Sequence, residues 1–309
     1  MISRATMPTV QRSGTLLCLG SATAFGAMAV LGKLAYDAGA TVGTLLAVRF
    51  LLAAALFWAL VLGSDAAHEL RALGGRDVAV GLTLGACGYA IQAGCYFTAL
   101  ERIDASLLSL LLYTFPAMVA VAAVALGRER MDARRLAALA LASGGLALVV
   151  AGAGTGALDP LGAALGLGAA VVYSTYILIS EGVVGRMTPR LLSALVCTGA
   201  AASLTVGSAV LGQLRPGELT AAGWGWLACL ALVSTVAAVS LFFAGLERVG
   251  PTTASILSTA EPVVTMLLAF LVFGELLGPL QLLGGALVLA AVLVLASYRP
   301  RRAIVRAAT

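Results

Sequence analysis

Charge is what this sequence has least of. Asp, Glu, Lys and Arg make up 11% of its 309 residues, against roughly 25% in soluble domains, while 61% are hydrophobic and mean hydropathy is +1.04. Such a chain reads as one integral membrane unit, with little length left for a separate soluble domain. There is one histidine, His68, and one lysine, Lys33. The five cysteines (Cys18, Cys87, Cys95, Cys197, Cys229) all fall in apolar segments. They form no CxxC pair or Cys/His cluster, so they read as small packing residues rather than metal or redox centres. No phosphate-binding glycine loop with Lys-Ser/Thr, no HExxH and no nucleophile elbow occurs. Neither ATP-driven transport within this chain nor membrane-embedded metal catalysis has a basis, and no cofactor, metal or enzymatic activity is expected. The net charge of +5 raises nucleic acid as a partner, but the basic residues sit at the ends of apolar runs, where they report topology.

What the sequence does have is one stretch stated twice. Tyr96 to Glu129 reappears as Phe242 to Glu275, without a gap, at an offset of 146. Leu100-Glu101-Arg102 falls on Leu246-Glu247-Arg248, Ser109 on Ser255, Pro116 on Pro262 and Glu129 on Glu275. Each copy reads as the end of an apolar helix, a charged turn, and a second apolar helix with a proline near its middle. A repeat of this length in a chain this apolar predicts a duplicated membrane bundle.

With about 20 residues per spanning helix, spans are predicted near 14–36, 41–63, 77–99, 104–127, 133–152, 159–183, 188–212, 220–245, 250–273 and 278–298. The polar leader 1–13 with the apolar run behind it has the form of a signal peptide. The run continues to about Ala35 and further spans follow, which favours an uncleaved first helix. The organisation is then a cytoplasmic leader (1–13), a first five-helix repeat (14–152), a second one (159–298) and a basic cytoplasmic tail (299–309). Placing the N-terminus in the cytoplasm puts 15 of the 19 basic residues on that side. Only Arg102 and Arg215 fall outside, and Lys33 and Arg49 lie within spans. By the positive-inside rule the expected fold is all-α, with ten transmembrane helices and both termini cytoplasmic.

Five spans per half is an odd number, so the second copy enters the membrane from the opposite side and the repeat is inverted. Inverted halves commonly build transporters that bind substrate between them near the midplane. The 36 glycines allow close helix approach, as at Gly81/Gly85 and Gly162/Gly166. Trp224, Trp226 and Tyr298 suit interfacial anchoring.

The chain resembles the EamA-type branch of the drug/metabolite transporter superfamily over roughly 14 to 298. The resemblance rests on Gly32-Lys33 in the first span, Val48-Arg49-Phe50-Leu51-Leu52-Ala53-Ala54 in the second, the prolines Pro116 and Pro262, and the ends Gly127-Arg128-Glu129-Arg130 and Gly274-Glu275-Leu276. Ser143-Gly144-Gly145 and Gly284-Gly285 lie in the helices that close the two halves. The first copy departs in reading Gly-Arg-Glu where the family usually has Gly-Glu, and Phe25-Gly26 stands where a Trp-Gly is usual. The resemblance implies a ten-helix inverted-repeat carrier that moves small metabolites, very often outward from the cytoplasm. Exporters of amino acids, aromatic ones among them, are known relatives.

Four ionisable groups lie within spans, where each costs about 2.5–3.5 kcal/mol on insertion scales and needs a reason. Lys33, toward the outer end of the first span, either snorkels to the interface or faces a cavity and holds a substrate carboxylate. Arg49, roughly 12 Å below the outer end of its span by helix rise, is expected in an ion pair or carbonyl clamp, with a substrate or gate role as the alternative. Glu181 lies within reach of the cytoplasmic interface, with a structural or gating role as the other reading. Glu261 is near the midplane, immediately before Pro262, which frees a backbone carbonyl one turn back. There a carboxyl is either a proton-exchanging group or a buried one bonded across to a neighbouring helix.

Tyr89, Gln92 and Tyr96 share a face of the third span, and Tyr173 and Tyr176 a face of the sixth. With Tyr113 they are candidates for a polar, aromatic cavity wall, against the plainer reading of packed tyrosines. The first, third, fourth, sixth, eighth and ninth helices are expected to line the cavity, with Pro116 and Pro262 as bend points. The expected partners are a small-molecule substrate, the bilayer and, as a candidate coupling ion, protons. Nucleic acid is not among them. A lone chain is sufficient in principle, and monomer and homodimer both stay open. The expected location is a bacterial plasma membrane.

Overall fold

The computed structural model describes residues 7–64, 68–69, 73–127, 131–152, 159–184, 187–249 and 251–296. Among these there are helices and no strand. That is what a low-dielectric solvent demands, since a helix satisfies its own backbone donors and acceptors. In chain order the helices are α1 (Met7–Asp37), α2 (Val42–Leu62), α3 (Gly75–Leu100), α4 in two pieces (Ala105–Leu112 and Phe115–Ala125), α5 (Ala133–Gly152), α6 (Pro160–Val184), α7 (Pro189–Val210), α8 (Ala221–Val249), α9 in two pieces (Pro251–Ser258 and Ala260–Phe273) and α10 (Pro279–Ala296). Eight are long and apolar enough to cross a membrane, and Ala260–Phe273 and Pro279–Val294 are shorter apolar helices. The leader up to residue 6, the tail with Tyr298, and the side chain of Glu181 lie outside the described residues.

Local chemistry sets the boundaries. Thr41 Oγ1 accepts the Thr44 N–H at the start of α2, and Thr220 Oγ1 accepts Gly223 N–H at the start of α8, each filling an otherwise orphaned donor. Pro160, Pro189, Pro251 and Pro279 stand at helix starts, where a missing N–H costs nothing. Gly274 ends α9 at φ +69°, a conformation that favours glycine.

Packing follows the repeat. The first helix, α1, lies against α8 and α9, and its counterpart α6 against α3 and α4. The equivalent pairs α2 with α7 and α5 with α10 also meet. Contacts at one end fix the relative direction of the halves. Thr220 Oγ1 donates to Ala38 O, Thr44 Oγ1 donates to Gln213 O, and Arg102 pairs with Asp159 at 3.1 Å. α1 therefore finishes at the end where α6 begins, and the halves run antiparallel. Glycine makes the closest approach possible, between α3 and α7: a Cβ on Gly85 would fall on the Val196 carbonyl, and one on Gly199 on the Leu82 carbonyl.

Two irregularities recur at repeat-related places. α3 widens into a π-turn at Leu84–Tyr89 and α8 at Leu232–Ala237. α4 and α9 both break two or three residues before a proline, and the first pieces, Ala105–Leu112 and Pro251–Ser258, lie 146 residues apart. The prolines thus sit in the first turn of a new half-helix rather than kinking one continuous rod.

Candidate functional site

The α9 break creates the centre of the site. Pro262 has no N–H to offer the carbonyl four residues back, which belongs to Ser258. That carbonyl instead faces the Tyr113 hydroxyl of the α4 break, 2.8 Å away. The same phenol oxygen is 2.9 Å from Glu261 Oε2. A tyrosine carries one proton and serves one acceptor at a time. Both contacts are hydrogen bonds together only when Glu261 is protonated and donates to the phenol oxygen. Glu261 also lies in the first turn of its half-helix, where the N-terminal dipole tolerates negative charge. The position can therefore hold either form of the carboxyl, with different bonding in each.

From Tyr113 an aromatic arc runs through the molecule. Tyr113 meets Phe115 at 5.9 Å between centroids, Phe115 meets Tyr173 at 4.7 Å, Tyr173 stacks on Tyr176 at 6.5 Å, Tyr176 meets Tyr89 at 6.0 Å, and Tyr89 meets Phe50 edge-on at 5.3 Å. These separations fall in the range of attractive ring pairs. Apart from Phe50, the arc walls a cavity of about 650 Å³ that Gln92, Tyr96, Arg49, Pro116 and Glu261 also line. That volume is typical of small-molecule sites.

Arg49 occupies the far end of the arc from Glu261 and is 2% exposed. Its Nε donates to Thr235 Oγ1 at 2.9 Å and its Nη2 to Met28 Sδ at 3.3 Å. Thr235 sits in the α8 π-turn and donates its own hydroxyl to Leu230 O. The guanidinium lies over the rings of Phe50 and Phe97, at 5.1 and 5.2 Å. The sequence suggested an ion pair or a carbonyl clamp. The described residues provide neither, and aromatic faces take that place. A desolvated cation–π contact is worth about 2 kcal/mol, so two of them offset an arginine insertion cost of about 2.5–3.5 kcal/mol. They make the charge tolerable without neutralising it.

The two ends of the cavity differ. Toward Glu247, a further hollow of about 380 Å³ shares Phe57, Ser193, Val239 and Phe243 with the cavity and is edged by the exposed Arg190 and Glu247. Toward Glu275 the halves are tied together. Lys33 does not line the cavity; its ammonium donates to Glu275 Oε1 at 2.7 Å. The Glu275 carboxylate also accepts Ala105 N–H, Ser106 N–H and Ser106 Oγ–H. Burial alone pushes the Glu275 carboxyl up, but the Lys33 ammonium and these backbone donors outweigh it and hold the group below its ordinary value. At the same end Asp159 is held low by the Gly162 N–H and then by Arg102.

Tyr89, Gln92, Tyr96, Tyr113, Tyr173, Tyr176, Arg49, Pro116 and Glu261 are thus brought to one cavity, whereas Pro262 is buried beside it in α9. Sequence reasoning missed Phe50, Phe97, Phe115, Met28, Thr235 and Ser258. The repeat marks Phe115 as the counterpart of Glu261, a signal that could have found it.

An all-helical, apolar bundle with a central aromatic cavity between antiparallel halves is the architecture of a multi-pass membrane carrier. The chain belongs to the EamA-like transporter family, whose model matches residues 12–151 and 160–297. It is 27% identical over 285 residues to the uncharacterized transporter YcbK of Bacillus subtilis, covering 88% of this chain and 89% of the relative. It is 37% identical over 146 residues to a second B. subtilis protein, the uncharacterized transporter YwfM, a match that spans 48% of that relative. A solved crystal structure with 19% identity superposes with a TM-score of 0.63, covering 92% of this chain and 97% of the other, which establishes the likeness of fold. Family and relatives point to a transporter of small molecules rather than an enzyme.

Proposed function

We propose that this protein is a secondary carrier of a bacterial plasma membrane that exports small amphipathic metabolites, amino acids including aromatic ones first among them, by alternating access. It crosses the membrane ten times with both termini in the cytoplasm. The Glu275 end is then the outer end, and the conformation described is closed outside and open toward the cytoplasm. One observation carries the reading: the cavity of about 650 Å³ lies between antiparallel halves, with an aromatic wall joining a buried arginine to a carboxyl at the α9 break. Glu261 is the proton-exchanging group, a role supported by its 2.9 Å contact with Tyr113, whose phenol can accept from a protonated carboxyl while donating to Ser258 O or donate to an ionised one.

The test is uptake and exchange of labelled amino acids in proteoliposomes, with and without an imposed pH gradient, in the wild type and in Glu261→Gln. Saturable transport that follows the gradient only in the wild type supports a proton-coupled carrier. Saturable transport indifferent to both makes the protein an uncoupled facilitator, and absence of transport across the amino acids removes them as substrates.

A further inference from the structure

We propose that Arg49 is an anion subsite that seats one carboxylate of the transported molecule. This rests on the carrier reading above, but it concerns what the cargo must carry rather than which cargo it is.

Three observations converge on Arg49. Its side chain is almost wholly buried, yet it lines the cavity. Its contacts use Nε and one Nη2 donor of the five that a guanidinium has. Among the described residues no acceptor bonds to Nη1, and no Asp or Glu lies within ion-pair distance. Phe50 and Phe97 cover the cation without supplying negative charge, and Thr235, anchored through Leu230 O, fixes the orientation of the fork. A rigid, desolvated guanidinium with free donors on a cavity pairs best with a planar anion that accepts side by side.

The surroundings also set the charge of that anion. Among the described residues that line the cavity Arg49 is the only cation, and Glu261 lies at the other end of the arc. A dianionic phosphate would bring one charge that nothing balances, and an ionised Glu261 would repel it. A single carboxylate leaves the pair neutral. The aromatic arc that begins at Phe50 suits a ring on the same molecule.

Three ligands separate the possibilities: tryptophan, tryptophanamide and indole-3-propionate, each titrated calorimetrically into the purified full-length protein. Tryptophan and indole-3-propionate should bind, and tryptophanamide should bind about ten- to hundredfold more weakly, the loss of a charged hydrogen-bonded partner. Arg49→Gln should abolish that preference and Arg49→Lys should retain part of it. Amide binding as tight as that of the acid overturns the subsite and leaves the carrier reading standing. Binding of indole-3-propionate without tryptophan keeps the subsite and removes amino acids as cargo. Binding of none of the three overturns the subsite. If Arg49→Gln does not fold, the wild-type series decides alone, and Thr235→Val, which releases the fork from its fixed orientation without removing charge, should narrow the preference for the acid.

Discussion

Lys33 and Glu275, 242 residues apart, meet at 2.7 Å where α1 of one half ends beside the α9–α10 turn of the other. The carboxylate is 7% exposed and also caps the first turn of α4. One side chain therefore ties three elements across the interface between the halves, at the end where the cavity is sealed.

Removing that charge should loosen the seal. Glu275→Gln gives up the ammonium pair and weakens the cap, an effect of about 1–3 kcal/mol for charged hydrogen bonds. Because the folded Glu275 titrates below its ordinary value, its contribution is complete above that ordinary value and is lost as pH falls through the folded one. Thermal unfolding from neutral pH to below 4.5, the ordinary value, should show a steeper fall in Tm for the wild type than for Glu275→Gln. Equal slopes would remove Glu275 from the acid response. A cysteine placed at Ser106 should label faster with an impermeant maleimide in the variant.

Tyr113→Phe should be far more damaging than Tyr176→Phe. The first removes the hydroxyl that bridges the Ser258 carbonyl and Glu261, leaving a cavity-lining polar group without its partner at about 1–3 kcal/mol. Tyr176 contributes its ring to the arc, which phenylalanine preserves. Transport rate and melting temperature, measured together in both variants, check the difference.

Glu261→Gln should preserve the fold, because the amide can donate to the Tyr113 oxygen as a protonated carboxyl does. It should keep solute exchange and lose the response to an imposed pH gradient. A loss of both would mean that the carboxyl holds the cavity together rather than exchanging protons.

Gly85→Ala should destabilise the α3–α7 contact by about 1–3 kcal/mol, the usual cost of overpacking. The added methyl meets the Val196 backbone carbonyl, which has no side-chain torsion with which to move away. Gly94→Ala, at a position with open space, is the control, and detergent melting curves compare the two.

The helical, membrane-type fold was legible because composition and repeat both speak to it. Apolar runs of membrane length need no partner to be recognised, and the offset of 146 reappears between Ala105–Leu112 and Pro251–Ser258. The polar residues of α3 and α6 could be grouped by face, since helical spacing fixes which side chains share one. Arg49 was visible as an anomaly, but its neighbours were not: Phe97 and Thr235 come from helices distant in sequence. The Lys33–Glu275 bond was hidden for the same reason. The sequence predicts bends at both prolines within continuous helices, whereas the missing donor ends one half-helix and starts another. The π-turns left no mark in composition, because they arise from a shift in backbone bonding that many sequences permit.

The π-turn of α8 has one more consequence. The hydroxyl acceptor of Arg49 lies within it, and that hydroxyl is itself tied to Leu230 across the widened turn. Were the extra residue to migrate along α8, the helix axis could stay in place while Thr235 rotated off the guanidinium. A change of register in one helix would then release a charged side chain on another, a route by which motion of the second half reaches Arg49 without any displacement of α2.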